Sequence, residues 1–220
     1  MTFNKSTQKR NNMTVSSQKT QDVEMPTELI LEATFETLNL YKEAGYDPFS
    51  RTIYVWGEIN PEMSYHFVSS INSLIKLNST AEPITLFLNS PGGNIYDLFQ
   101  MIDYMNFIYD KYKIKINVYG GGQIMSAAAF LLIASTGIRC VFKNSVILLH
   151  EIQSYSGFDN TSRKKDDLDH IINLETQIIE IISQRTKKKS LGFWQKEIAY
   201  KDKIYLPTDA LKLGMIDNIV

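Results

Sequence analysis

The chain has 220 residues, 44% of them apolar, and a formal net charge of −1. That is enough for one domain with a sizeable core plus a tail, without the basic excess that nucleic-acid binding requires. Its single cysteine, Cys140, excludes an intrachain disulfide and a cysteine-rich metal site, and suits a reducing compartment.

Residues 1–26 are polar and rich in Ser, Thr, Asn, Gln and Lys. They lack the apolar stretch of a secretory signal. The stretch before Asp22 holds no acid, as in a transit peptide, but it has little amphipathic pattern and reads as a disordered tail. Residues 27–50 read as an N-terminal helical arm. Leu29, Leu31, Phe35, Leu38 and Leu40 recur at roughly helical spacing over 28–44. Gly45-Tyr46-Asp47-Pro48 then breaks the pattern.

From Arg51 the chain alternates strands and helices. The pattern predicts a strand over 52–56, a helix over 61–77, a strand over 83–88 and a helix over 94–109. A strand over 113–119 is ended by Gly120-Gly121-Gly122. An apolar helix over 126–135 and strands over 139–142 and 146–149 follow. The longest apolar run, 126–136, falls well short of the ~20 residues of a membrane span. This order predicts an α/β fold with a mostly parallel sheet. A long amphipathic helix over 161–185 carries a broad apolar stripe that needs burial, for which a subunit partner is a candidate. Lys187-Lys188-Lys189 closes it favourably for the helix dipole. A short helix over 207–213, stopped by Gly214, precedes a closing strand over 215–220.

Three local features carry chemistry. Asn89-Ser90-Pro91-Gly92-Gly93 follows a buried strand. By itself such a string marks a tight turn. Its functional reading is a backbone N–H presented to a reacting carbonyl with no side chain in the way. Ser126 opens the apolar helix. Serine there is a good N-cap, but a nucleophile at that place would have the unpaired Ala127 N–H and the helix dipole beside it. No Lys-Ser or Lys-Thr follows the glycines, so this is no phosphate loop. His150 ends an apolar strand. A histidine there is often a satisfied structural residue, but of His66, His150 and His170 it alone sits at a strand end, where sites of α/β sheets gather.

The order LNSPGG (88–93), GQIMSAAAFLL (122–132) and KNSVILLH (143–150) resembles ClpP, the proteolytic-subunit family of Clp protease. The ending from Asp202 through Leu213-Gly214-Met215-Ile216-Asp217 is similar to that family's last stretch. The resemblance covers about Arg51 to Val220. It implies a crotonase-like spiral of ββα units over 51–220, with a protruding helical handle at about 152–189. It implies a serine endopeptidase with Ser126 as nucleophile, His150 as general base and Asp202 orienting His150. The oxyanion hole would be the backbone N–H groups of Gly93 and Ala127. The implied reaction takes unfolded protein or peptide, with no metal and no cofactor. The implied assembly is a homo-oligomer of two heptameric rings fed by an AAA+ unfoldase, with no nucleic-acid or membrane partner, in the cytoplasm, a plastid stroma or a phage-infected host.

The chain departs from the family's pattern at Glu151-Ile152, where Gln-Pro is usual, and at Lys203, where an arginine tied to ring contacts is common. Its 93–126 segment is longer than usual, and 1–50 holds no recognisable axial gate. A non-catalytic ring subunit, a phage head-maturation protease and a crotonase-type acyl-CoA enzyme are the alternative expectations. All three triad positions being filled speaks against the first, and the acyl-CoA enzyme has no need of such a triad.

Overall fold

The computed structural model describes residues 45–77, 80–153, 161–187, 189–199 and 201–220. The expected disordered tail over 1–26 lies outside the described residues. So does most of the arm over 27–50. Its described end, 45–50, holds a short strand and a turn.

The strands are β1 (Tyr46–Asp47), β2 (Thr52–Trp56), β3 (Ile84–Ser90), β4 (Ile116–Met125), β5 (Arg139–Val141), β6 (Val146–Leu149), β7 (Lys203–Tyr205) and β8 (Asn218–Ile219). The helices are α1 (Pro61–Leu77), α2 (Ile95–Tyr112), α3 (Ala127–Ala134), α4 (Thr161–Thr186), α5 (Leu191–Ile198) and α6 (Pro207–Leu213). The eight strands form one mixed sheet, in the order β1-β2-β3-β4-β5-β8 with β6 and β7 branching from β4. Among the described residues only β1–β2 and β6–β7 run antiparallel. The mostly parallel α/β arrangement expected from the sequence is therefore present, and it has the ClpP/crotonase-like architecture.

Local chemistry explains the element ends. Pro61 starts α1, where its missing N–H costs nothing, and the Asn60 side chain accepts the Met63 N–H at 2.9 Å. Asn94 caps α2 by accepting from Tyr96 and Asp97. Gly214, at φ 79°, takes the left-handed position that ends α6. α3 is buried on every side, as a helix without a polar face must be.

Strand β4 runs further than the glycine triplet suggests. Its first half pairs with β3 and β5. Its second half, Gln123 to Met125, leaves β5 and pairs with β6. The triplet does not end the strand but lets it change partners. A Cβ at Gly120 would collide with the Ile124 side chain, and Gly122 sits at φ 66°. The register with β3 slips at the same level, from Leu88 opposite Gly120 to Ser90 opposite Ile124. Asn89 Oδ1 accepts the Gln123 N–H at 3.3 Å across the irregularity, a bulge that re-aims the strand end.

The apolar stripe of α4 divides. Leu174, Ile178, Ile179 and Ile182 are buried, where the helix packs on α3 and α5. Leu168 and Ile172 remain about half exposed, at 55% and 49%. The chain itself thus buries the C-terminal half of the stripe. α5 was not expected. Ser190 caps it through the Phe193 N–H, and the fully buried Trp194 donates from Nε1 to Thr186 Oγ1 at 3.1 Å. The closing strand shortens to β8, which Arg139 secures by contacting Asp217 at 2.6 and 3.0 Å and the Gly214 carbonyl at 3.0 Å.

Candidate active site

Three strands, β3, β4 and β6, bring the candidate residues together at their C-terminal ends. The loop after β3 carries Gly92 and Gly93. The Gly92 N–H bonds to Ser90 Oγ at 3.1 Å. A single parallel bridge then fixes the loop: Ile59 N–H donates to the Gly92 carbonyl (2.7 Å) and Asn94 N–H to the Ile59 carbonyl (2.8 Å). Bridge bonds of this kind use alternate residues, so the N–H of Gly93, between them, points the other way. Gly93 stands at φ 146°, and a Cβ there would strike the Ile59 carbonyl oxygen. Behind the loop, Ser64 Oγ on α1 donates to buried Asp97 on α2 at 2.9 Å, which fixes where α2 begins.

Ser126 sits between β4 and α3 with φ 53° and ψ −126°. Those angles belong to the first central position of a type II′ turn, which glycine ordinarily fills. Serine there is strained, as at the sharp strand-to-helix turn that exposes a nucleophile. Its N–H is held by the Leu148 carbonyl of β6 at 2.9 Å. Its hydroxyl makes no capping bond to α3. The capping role open to this serine is therefore not the one it fills. Ala127, the first residue of α3, offers an N–H with no intrahelical acceptor. Gly92 lies against this turn so closely that a Cβ on it would come within 2.6 Å of Ser126 Cβ.

His150 follows β6. Its Nδ1 lies 2.5 Å from the Glu151 carbonyl oxygen. A carbonyl only accepts, so Nδ1 carries the hydrogen, and in the neutral ring Nε2 keeps its lone pair for a proton. Gly93, Ser126, Ala127 and His150 all line one cavity of about 590 Å³. Asp202 is not among its lining residues. The antiparallel ladder of β6 and β7 ends with Leu149 opposite Lys203. Were the same order continued by one step, Asp202 would stand opposite His150. Directly opposed residues of such a ladder have Cβ atoms about 5 Å apart. Among the described residues, no hydrogen bond joins Ser126 to His150 or His150 to exposed Asp202 in this conformer.

The remaining walls come from residues that motif reading passed over. Phe130 of α3, with Ile171 and Leu174 of α4, gives an apolar side; Glu58 and Tyr96 stand at the rim. Glu175 on α4 accepts the Ile152 N–H. Burial first, and then the Glu151 carboxylate nearby, push its pKa above the usual glutamate range. Lys203 does not reach outward from the chain. It pairs with Glu197 of α5 at 3.5 Å, and Tyr205 donates to the same carboxylate at 3.2 Å. Of the other histidines, exposed His66 pairs with Glu62 at 3.6 Å, and His170 meets the Tyr96 hydroxyl at 2.8 Å. Only paired side-chain contacts such as this one, unreadable from spacing, could have revealed Tyr96.

A family model for Clp protease matches residues 16–220. The chain is 28% identical over 181 residues to ATP-dependent Clp protease proteolytic subunit 4 of Streptomyces avermitilis, covering 80% of this chain and 77% of that one. It is 31% identical over 175 residues to the ATP-dependent Clp protease proteolytic subunit of Borreliella afzelii, covering 77% and 83%. With the subunit of Carsonella ruddii it shares 30% identity over 171 residues, covering 77% and 84%. Relatives of this kind do not favour the phage-protease, non-catalytic or acyl-CoA readings. With a strand-end serine, a strand-end histidine and a match that spans nearly the whole sequence, the chain belongs to the Clp protease family, serine endopeptidases of the ClpP type.

Proposed function

We infer that Ser126, His150 and Asp202 form the catalytic triad, with the N–H groups of Gly93 and Ala127 as the oxyanion hole. The strained, uncapped Ser126 carries this reading, because it shares one cavity with His150 and both N–H donors. The Ser126 hydroxyl attacks the peptide carbonyl while His150 Nε2 takes its proton. The tetrahedral oxyanion is held by the two N–H donors, removal of one of which typically costs ~10²–10³ in turnover. His150 then gives the proton to the leaving amine, and water hydrolyses the acyl-enzyme by the reverse sequence. Asp202 holds Nδ1–H and stabilises the imidazolium once the Glu151 carbonyl releases that hydrogen. The chain's own groups and water suffice, so the reaction calls for no cofactor.

The relatives' description as ATP-dependent supports an ATP-driven partner, which we take to be an AAA+ unfoldase that delivers unfolded protein as substrate. Among the described residues no helix is long and apolar enough to cross a membrane. The exposed Leu168 and Ile172 on α4 support homo-oligomer contacts, in two stacked heptameric rings. A cleft of Trp56, Phe87, Tyr119 and Phe142 offers a second apolar surface. The test is cleavage of a short fluorogenic peptide and labelling by a fluorophosphonate, with Ser126→Ala as control and light scattering for mass. No cleavage together with no labelling of Ser126 defeats the catalytic assignment. A monomer that stays monomeric at high concentration defeats the ring assignment.

A further inference from the structure

The catalytic cavity has two walls that come from distant parts of the chain. Ile95 and Tyr96 open α2 on one side, and Ile171 and Leu174 of α4 face them from the other. One polar contact spans the walls: the Tyr96 hydroxyl and His170 Nε2 lie 2.8 Å apart, and the two rings stack with centroids 6.2 Å apart at 18°. Tyr96 is 56% exposed, which sets the pair at the opening of the cavity and not on its floor. An exposed contact of this kind buries little apolar area and adds little to the fold. Its effect is geometric, because it holds a flat ring at the opening of the cavity.

Resting on the reading of Ser126 as nucleophile, we propose that Tyr96 is a specificity-determining residue, held by His170, that limits the bulk of the substrate side chain entering this cavity beside the scissile bond. His170 acts through Tyr96 and is a positioning residue. An apolar side chain of leucine size passes the bridge and meets Phe130, Ile171 and Leu174. An indole does not. Removing the ring opens the gap. Removing its partner frees the ring to swing aside, with a smaller effect.

The experiment uses the full chain and two peptides that differ only in the residue before the cleaved bond, leucine or tryptophan. The readout is the ratio of their kcat/KM values, tryptophan over leucine. Tyr96→Ala should raise it about 10-fold, the discrimination a shaped apolar pocket supplies. His170→Ala should raise it less, and Tyr96→Phe, which keeps the ring and loses the hydroxyl, should match His170→Ala. A purely structural role would lower both rates together and leave the ratio still. A ratio unmoved in all three variants overturns the proposal even if the leucine peptide is cleaved well. If wild type cleaves neither peptide and Ser126 is not labelled, the catalytic reading falls and takes this one with it. Should Tyr96→Ala fail to fold by thermal melt, Tyr96→Phe and His170→Ala decide the outcome.

Discussion

Replacing Ser126 by alanine and by glycine separates the two roles that a serine at a helix start can play. A capping serine loses about 1 kcal/mol when it becomes alanine. Here the hydroxyl caps nothing, so Ser126→Ala should leave stability within about 0.5 kcal/mol. The backbone strain, in contrast, depends on Cβ. A non-glycine residue at φ 53° and ψ −126° holds about 1–3 kcal/mol. Glycine releases that and costs about 0.4–1 kcal/mol through the freer unfolded chain. The net expectation for Ser126→Gly over Ser126→Ala is a gain of about 1 kcal/mol, or ~2–4 °C in Tm for a domain of this size. Both variants should lose turnover by ~10⁴-fold or more. The assay is a thermal melt with a urea midpoint, alongside peptide cleavage. A loss of about 1 kcal/mol in Ser126→Ala would restore the cap reading, and a glycine variant no more stable than the alanine variant would refute the strain.

Three further outcomes test other parts of the structure. Asp202→Ala should be less damaging than Ser126→Ala by ~10²-fold in kcat, because the Glu151 carbonyl already selects the right His150 tautomer; equal losses on a fluorogenic peptide would show that it does not. Glu175 has its pKa raised by burial and by Glu151, so ionising it opposes folding, and the stability it favours is present at low pH and lost as pH rises through its folded pKa. Glu175→Gln should therefore raise Tm at pH 7 by ~1–3 °C, by relieving first the burial of the charge and then its repulsion from Glu151, together screened to about 0.2–1 kcal/mol in this partly exposed group, and lose that advantage in melts below the carboxylate range. Arg139→Ala removes the charged contacts to Asp217 and the Gly214 carbonyl; a destabilisation of about 2 kcal/mol should appear as a lowered denaturant midpoint, with peptide cleavage by the remaining folded enzyme little changed.

Where periodicity and punctuation agree, the sequence defines the elements closely. β2, α1 and α6 occupy the residues their patterns predict, because a proline opens each helix, Gly214 closes α6, and β2 is a β-rich run standing alone. β4 was harder. Three successive glycines read locally as a stop, and the strand continues only because β6 offers new backbone partners. α5 is eight residues long and exists mainly through the burial of Trp194 and Ile198, a tertiary cause with a weak local trace. In the candidate site, Ser126 and His150 stood out because one opens an apolar helix and the other ends an apolar strand. The free hydroxyl of Ser126 was not, since cap and nucleophile are written with the same letter. The proposed pairing of Asp202 with His150 rests on the antiparallel pairing of β6 with β7, and the Tyr96–His170 contact joins residues 74 apart. Neither spacing carries a local signal.

The partner change of β4 also sets an order in which the proposed site can assemble during synthesis. The turn bearing Ser126 is anchored by the Leu148 carbonyl, so its geometry is incomplete until β6 has emerged and docked. β7, which directly follows Asp202, arrives after the whole of α4 and α5. A nascent chain that ends anywhere before β7 thus holds a serine, and later a histidine, without the finished constellation. Long-range pairing of this kind forms late, since the loop must close before the contact rewards it. If the triad is as proposed, strand order also sets the timing of maturation, because a chain lacking β7 would hold the serine and the histidine without the acid.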